Sequence, residues 1–156
     1  MTRYIQHFEK LLPILGRLFD GLSIGAEEAY LVGGSVRDGI LGRPIRDLDI
    51  VIGGPVAQVA KSLADSENGT LVVLDRERQM IRVILPTKAE ALGLTQVDLS
   101  PLTTDIQENL RSRDFTIDAM AVRLDGPTNH EPVEIIDPCG GLADLEARVM
   151  RAVSHS

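Results

Sequence analysis

Cysteine is nearly missing from this 156-residue chain, tryptophan is missing altogether, and aromatic residues make up only 3% of it. The single cysteine, Cys139, rules out an internal disulfide, and nothing in the composition points to an oxidising compartment. With so few rings the core must be packed by Leu, Ile, Val and Ala, which a hydrophobic fraction of 44% supplies. Long apolar runs are absent too: none approaches the roughly 20 residues of a membrane-spanning helix. The opening "MTRYIQHFEKLLPILGRLFD" breaks its short apolar runs with charges, unlike a signal peptide. These absences predict a cytoplasmic protein with no membrane partner.

Basic residues are in short supply as well, with 16 Lys and Arg against 23 Asp and Glu and a formal net charge of −7. Nucleic-acid binding rests on cations that neutralise phosphates, so this chain alone is expected to grip RNA or DNA weakly. An anionic substrate then needs a local basic cluster, a metal ion or polypeptide outside these residues.

What is present is a series of short elements. Ile5, Phe8, Leu12, Leu15, Leu18 and Phe19 recur at helical spacing and predict an amphipathic helix with a break at Pro13. "AYLVGG" reads as a strand ending at glycines, and "SVRDGILG" as one or two helical turns with Ser35 as N-cap and Gly42 as stop. "RDLDIVIGG" has the pattern of a strand entering a buried sheet. "PVAQVAKSLADSENG" starts with Pro and ends before Gly, as helices do. "TLVVLD", "QMIRVILP" and "TQVDLS" are β-rich. "TTDIQENLRSRD" predicts a helix beginning near Thr104 or Asp105, and "FTIDAMAVRLDG" alternates like a strand. "VEIIDPCGG" reads as a strand and turn, and "LADLEARVMRAV" as a helix that stops abruptly, which predicts a fragment of a longer polypeptide. With no repeat or linker, residues 1–156 are expected to form one α+β domain: a mixed or antiparallel twisted sheet with helices packed against it.

The chemistry concentrates in "LVGGSVRDGILGRPIRDLDIVIGG", Leu31 to Gly54. Strand alternation puts Asp47 and Asp49 on one face, with Leu48 and Ile50 turned to the core. Paired carboxylates repel one another, and Mg²⁺, a hard cation that prefers oxygen ligands, relieves the repulsion. Gly33 and Gly34 sit between a strand and a helix start, where backbone N–H groups approach an anion unobstructed. Arg37 in the first turn adds a fork for phosphate oxygens, and Asp38 either orients Arg37 or meets the ligand. Transfer of a nucleotidyl group needs carboxylates for metal and amides or Arg for the triphosphate, and this stretch offers both.

Three segments in order, this stretch, "RSRDFTIDAMAV" and "IDPCGGLADLEARVMRAV", resemble the class II tRNA nucleotidyltransferase and bacterial poly(A) polymerase family of the DNA polymerase beta-like superfamily. The resemblance runs from Tyr30 to Val153, leaving residues 1–29 as an N-terminal helical segment, and covers the catalytic head. The family's neck, body and tail domains are not in these residues. It implies that Asp47 and Asp49 hold metal, that Gly33, Gly34, Arg37 and Asp38 line the nucleotide site, that Arg113 contacts nucleotide phosphates or sugar, and that Asp114 is a further acidic position. Asp98, on its own strand, falls where relatives carry a third carboxylate. The implied reaction is addition of CMP or AMP from CTP or ATP to an RNA 3′ end, most readily tRNA, with pyrophosphate released. His7, His130 and His155 lie outside every motif and receive no role. Between Asp98 and Arg113 the family's longer basic loop is short here, as in its CC-adding branch. Ser112 replaces the first of two arginines, and Asp118 stands where Asn is usual, adding negative charge near a polyanion site. Two other readings share these residues: a nucleotide-binding regulatory module of low turnover, and nucleotidyl transfer to a non-RNA acceptor. The sequence leaves the oligomeric state open.

Overall fold

The computed structural model describes residues 28–86, 93–124 and 134–154, so the predicted helix around Ile5 to Phe19 lies outside the described residues. In chain order the elements are β1 (Glu28–Val32), α1 (Gly34–Leu41), β2 (Asp47–Gly53), α2 (Val56–Glu67), β3 (Thr70–Asp75), β4 (Met80–Ile84), β5 (Gln96–Pro101), α3 (Ile106–Arg111), a 3₁₀ turn (Thr116–Asp118), β6 (Ala121–Arg123), β7 (Ile135–Ile136) and α4 (Gly141–Ala147). The strands form one sheet of seven in the order β3-β4-β5-β2-β1-β6-β7. Only β2 and β5 run parallel; every other pair is antiparallel. The expected mixed sheet with helices is the observed fold. Among the described residues no helix is long and apolar enough to cross a membrane.

The two faces of the sheet do different jobs. One carries Leu31, Leu48, Ile50, Ile52, Val83, Val97 and Leu99, all at most 1% exposed, packed with Val36 of α1 and Val59, Ala60 and Leu63 of α2. Each such Leu, Ile or Val contributes roughly 1.5–3 kcal/mol on burial, so this aliphatic layer supplies most of the driving force that the missing aromatics do not. The other face is covered only in part: Tyr30, Val32, Val51 and Ala121 pack under Ile106, Leu110 and Val153. Beyond Val51 the same side of β2 is polar, with Asp49 half-buried and Asp47 exposed.

Helix ends follow local chemistry. Gly42 closes α1 at φ 71°, as expected, and Asn68 closes α2 at φ 55° just before Gly69. Asp105 caps α3 by accepting from the Glu108 N–H at 2.8 Å. Asp105→Ala is expected to lower stability by about 1 kcal/mol, read from a urea midpoint.

Three expectations need correction. Ser35 is not an N-cap: Gly33 occupies that position, and the Ser35 hydroxyl donates to the Val32 carbonyl and accepts from the Asp49 N–H instead. "FTIDAMAVRLDG" is not one strand. Thr116, Ile117, Ala119, Met120, Ala121 and Val122 are all buried, so the side chains do not alternate, and only Ala121–Arg123 pairs as β6. The last helix ends at Ala147 rather than near Val153, because Arg148 turns left-handed at φ 57°. The chain then extends beside residues 114–116, where the Thr116 N–H donates to the Arg151 carbonyl and the Val153 N–H to the Asp114 carbonyl.

Together with α4, this C-terminal segment anchors the 3₁₀ turn. Asp137 accepts from the N–H groups of Gly141 and Leu142, fixing the start of α4, and Asp144 of that helix accepts from the Thr116 hydroxyl at 2.6 Å. The Thr116 hydrogen bond, aided by Arg151, holds the Asp144 carboxyl below its ordinary range. A depressed carboxyl stabilises the fold at pH above its unfolded value, about 3.9, and that contribution is lost as pH falls through the lower folded value. Thr116→Val, which removes the donor, is therefore expected to move the acid-unfolding midpoint to higher pH in a circular-dichroism titration.

Candidate metal and nucleotide site

β1 delivers the chain into a corner at Gly33, which adopts φ 68°, a left-handed value that glycine takes without strain. The space a Cβ would fill there lies 3.3 Å from Arg113 Nη1 and 3.5 Å from Asp49 Oδ2. A guanidinium and a carboxylate thus flank the same glycine just before the start of α1. Ser35 ties this corner to β2 through its bonds to Val32 and to the Asp49 backbone. That is a job the sequence reading missed, since a hydroxyl at a helix start has the same signature whether it caps or bridges.

Register sets the carboxylates in rows. Asp49 of β2 stands opposite Asp98 of β5, which stands opposite Arg82 of β4; in the next row Asp47 stands opposite Gln96. Asp47 and Asp49 therefore share the open face, as alternation predicts, with Leu48 and Ile50 buried behind them. Asp98 is taken up by Arg82, which donates to both its oxygens at 2.8 and 3.1 Å. Sequence reasoning did not single out Arg82, because the pairing of β4 with β5 that sets it opposite Asp98 is not written in either strand alone. Asp47 Oδ1 has the Thr95 hydroxyl at 3.1 Å.

The electrostatics reflect crowding. Burial first, then the facing Asp98 and Asp47 carboxylates, push the Asp49 pKa up, although Arg113 and Arg82 oppose the shift. Burial lowers the Arg113 pKa, against the pull of Asp49 and Asp118. Its Nε is buried without a hydrogen-bond partner among the described residues, while Nη2 donates to Asn109 one helical turn earlier. Arg37 sits on α1 with Nε donating to Asp38 at 3.2 Å and Nη1 to Asp118 at 2.6 Å. Asp38 thus orients Arg37, and so does Asp118, which the sequence reading treated only as added charge. Asp114 is exposed, its carboxylate hydrogen-bonds to nothing among the described residues, and it serves the fold through its carbonyl.

The donor set fits a hard divalent ion in a particular way. Among the described residues no three His, Cys, Asp or Glu side chains stand close enough to hold an ion unaided. Two carboxylates on one strand face, one of them destabilised by its neighbours, suit an ion such as Mg²⁺ that keeps several waters and completes its shell with phosphate oxygens.

Residues 29–151 match the Poly A polymerase head domain. The CCA-adding enzyme of Latilactobacillus sakei is 35% identical over 158 residues, covering 98% of this chain and 37% of that enzyme. The Thermotoga maritima CCA-adding enzyme, solved in complex with tRNA, superposes with a TM-score of 0.71 at 32% identity, over 92% of this chain and 32% of the other. A CCA-adding enzyme solved with CTP gives a TM-score of 0.72 at 30% identity, over 92% and 33% of the two chains. The chain spans about a third of the length of these proteins.

Proposed function

This chain belongs to the Poly A polymerase head domain family, and on that premise we propose that it is the catalytic head of a nucleotidyltransferase that adds CMP or AMP, from CTP or ATP, to the 3′ end of tRNA. The observation that carries the reading is the Gly33 corner, where the place a Cβ would take lies 3.5 Å from Asp49 Oδ2 and 3.3 Å from Arg113 Nη1, so that a carboxylate and a guanidinium flank one glycine. A triphosphate laid against that corner would meet a metal carboxylate on one side and a guanidinium on the other.

In this reading the RNA 3′ oxygen bonds to the α-phosphorus as the bond to pyrophosphate breaks. Asp47 and Asp49 would hold Mg²⁺, which would lower the pKa of the attacking hydroxyl and offset charge on the departing oxygens. The backbone at Gly33 and Gly34, at the start of α1, faces the triphosphate with its N–H groups. Arg37 and Arg113 bear on its phosphates or sugar. Asp98, held by Arg82, adds negative field behind Asp49 and keeps that carboxylate in need of a cation. With a net charge of −7 the head holds RNA weakly, so the grip on tRNA comes from polypeptide beyond residues 1–156. We place the protein in the cytoplasm.

The test is Mg²⁺-dependent incorporation of labelled CTP or ATP into tRNA lacking its 3′ end, with nucleotide binding measured in parallel. Incorporation, or Mg²⁺-dependent nucleotide binding that Asp47→Ala abolishes, supports the reading. Absence of both sinks it.

A further inference from the structure

Arg37 is gripped on two edges by acids. Nε donates to Asp38, Nη1 donates to Asp118, and Nη2 lies over Gly34, 3.2 Å from where a Cβ would stand. Asp118 is not a loose surface acid. It closes a 3₁₀ turn whose first residue, Thr116, is buried and tied to Asp144. The pair is 29% and 31% exposed, enough shelter for its charge to be felt by an anion alongside.

Around this corner the described residues set two guanidiniums, Arg37 and Arg113, against four carboxylates, Asp38, Asp47, Asp49 and Asp118, while Arg82 is committed to Asp98. A bare triphosphate therefore meets a corner that is negative on balance. A divalent cation on Asp47 and Asp49 makes it neutral. We propose that Asp118 makes triphosphate binding here conditional on a divalent cation, so that free nucleotide is rejected and only the metal–nucleotide complex is held. The inference rests on the triphosphate reading of the corner and assigns a selective role to a carboxylate outside the metal pair.

Asp118→Asn keeps an oxygen acceptor for Arg37 and removes one charge. Equilibrium binding of labelled CTP and ATP to the full chain is measured in excess Mg²⁺ and in excess EDTA. Asp65→Asn, on the exposed side of α2, serves as a control for overall charge, and Asp118→Ser as a second neutral variant should Asp118→Asn fold poorly. The expected result is a ratio of metal-free to Mg²⁺ affinity raised about tenfold in the Asp118 variants, whatever loss of the Arg37 contact does to both affinities alike. An unchanged or lower ratio in the Asp118 variants, or the same rise in Asp65→Asn, overturns the proposal while leaving the nucleotide site intact. Failure of every form to bind nucleotide in either condition overturns the site and the proposal together.

Discussion

Asp49→Asn is expected to reduce Mg²⁺-dependent nucleotide incorporation about 10³-fold, the equivalent of roughly 4 kcal/mol of transition-state stabilisation. The same substitution should not lower the thermal midpoint at neutral pH. Burial and the facing Asp98 and Asp47 push the Asp49 pKa up, so its ionised form is a cost to folding above that value, and a neutral isostere removes the cost. The backbone bond from the Asp49 N–H to Ser35 is untouched. Activity and stability therefore part company at this residue. Were Asp49 a structural acid, the two would fall together, and a matched loss in calorimetry and incorporation would show it.

The second large effect lies away from the carboxylates. A Cβ on Gly141 would stand 2.1 Å from the Thr116 carbonyl oxygen and 2.8 Å from its carbon, both backbone atoms that cannot swing aside. Gly141→Ala must push α4 off the 3₁₀ turn, at a cost of about 3 kcal/mol, or roughly 10 °C in thermal midpoint for a domain of this size. Because that turn ends in Asp118, which holds Arg37, the damage should reach the nucleotide corner. Nucleotide affinity in Mg²⁺ is expected to weaken even at temperatures where the variant is fully folded. Affinity equal to that of the parent chain would show that α4 supports stability alone. The Gly-Gly motif near the C-terminus is in this account a mount for the site: it lets a helix approach the turn that positions Arg37.

Much of this was legible in the residues. Alternation in "RDLDIVIGG" placed Asp47 and Asp49 on one face, and the glycine pair after "AYLV" marked a corner, because both rest on local backbone rules that tertiary structure seldom overrides. What stayed hidden were contacts between residues distant in sequence. Asp118 reaches Arg37 across 81 positions, and its pairing depends on a turn that a strand-like pattern concealed. Arg82 and Asp98 meet only once β4 and β5 are set in register, which single strands do not specify. The end of α4 escaped notice because Arg148, a good helix former, is turned left-handed by its surroundings. The extended stretch after it is held by backbone bonds to residues 114–116, which no composition foretells.

The central claim is that Asp47 and Asp49 together form a cation site completed by a nucleoside triphosphate. Titration of the chain with Mn²⁺, followed by water-proton relaxation with and without CTP, tests it most directly. The expected result is weak ion binding by the chain alone, marked tightening when CTP is present, and loss of that tightening in the Asp47→Ala, Asp49→Ala double variant. Tightening that survives in the double variant would contradict it.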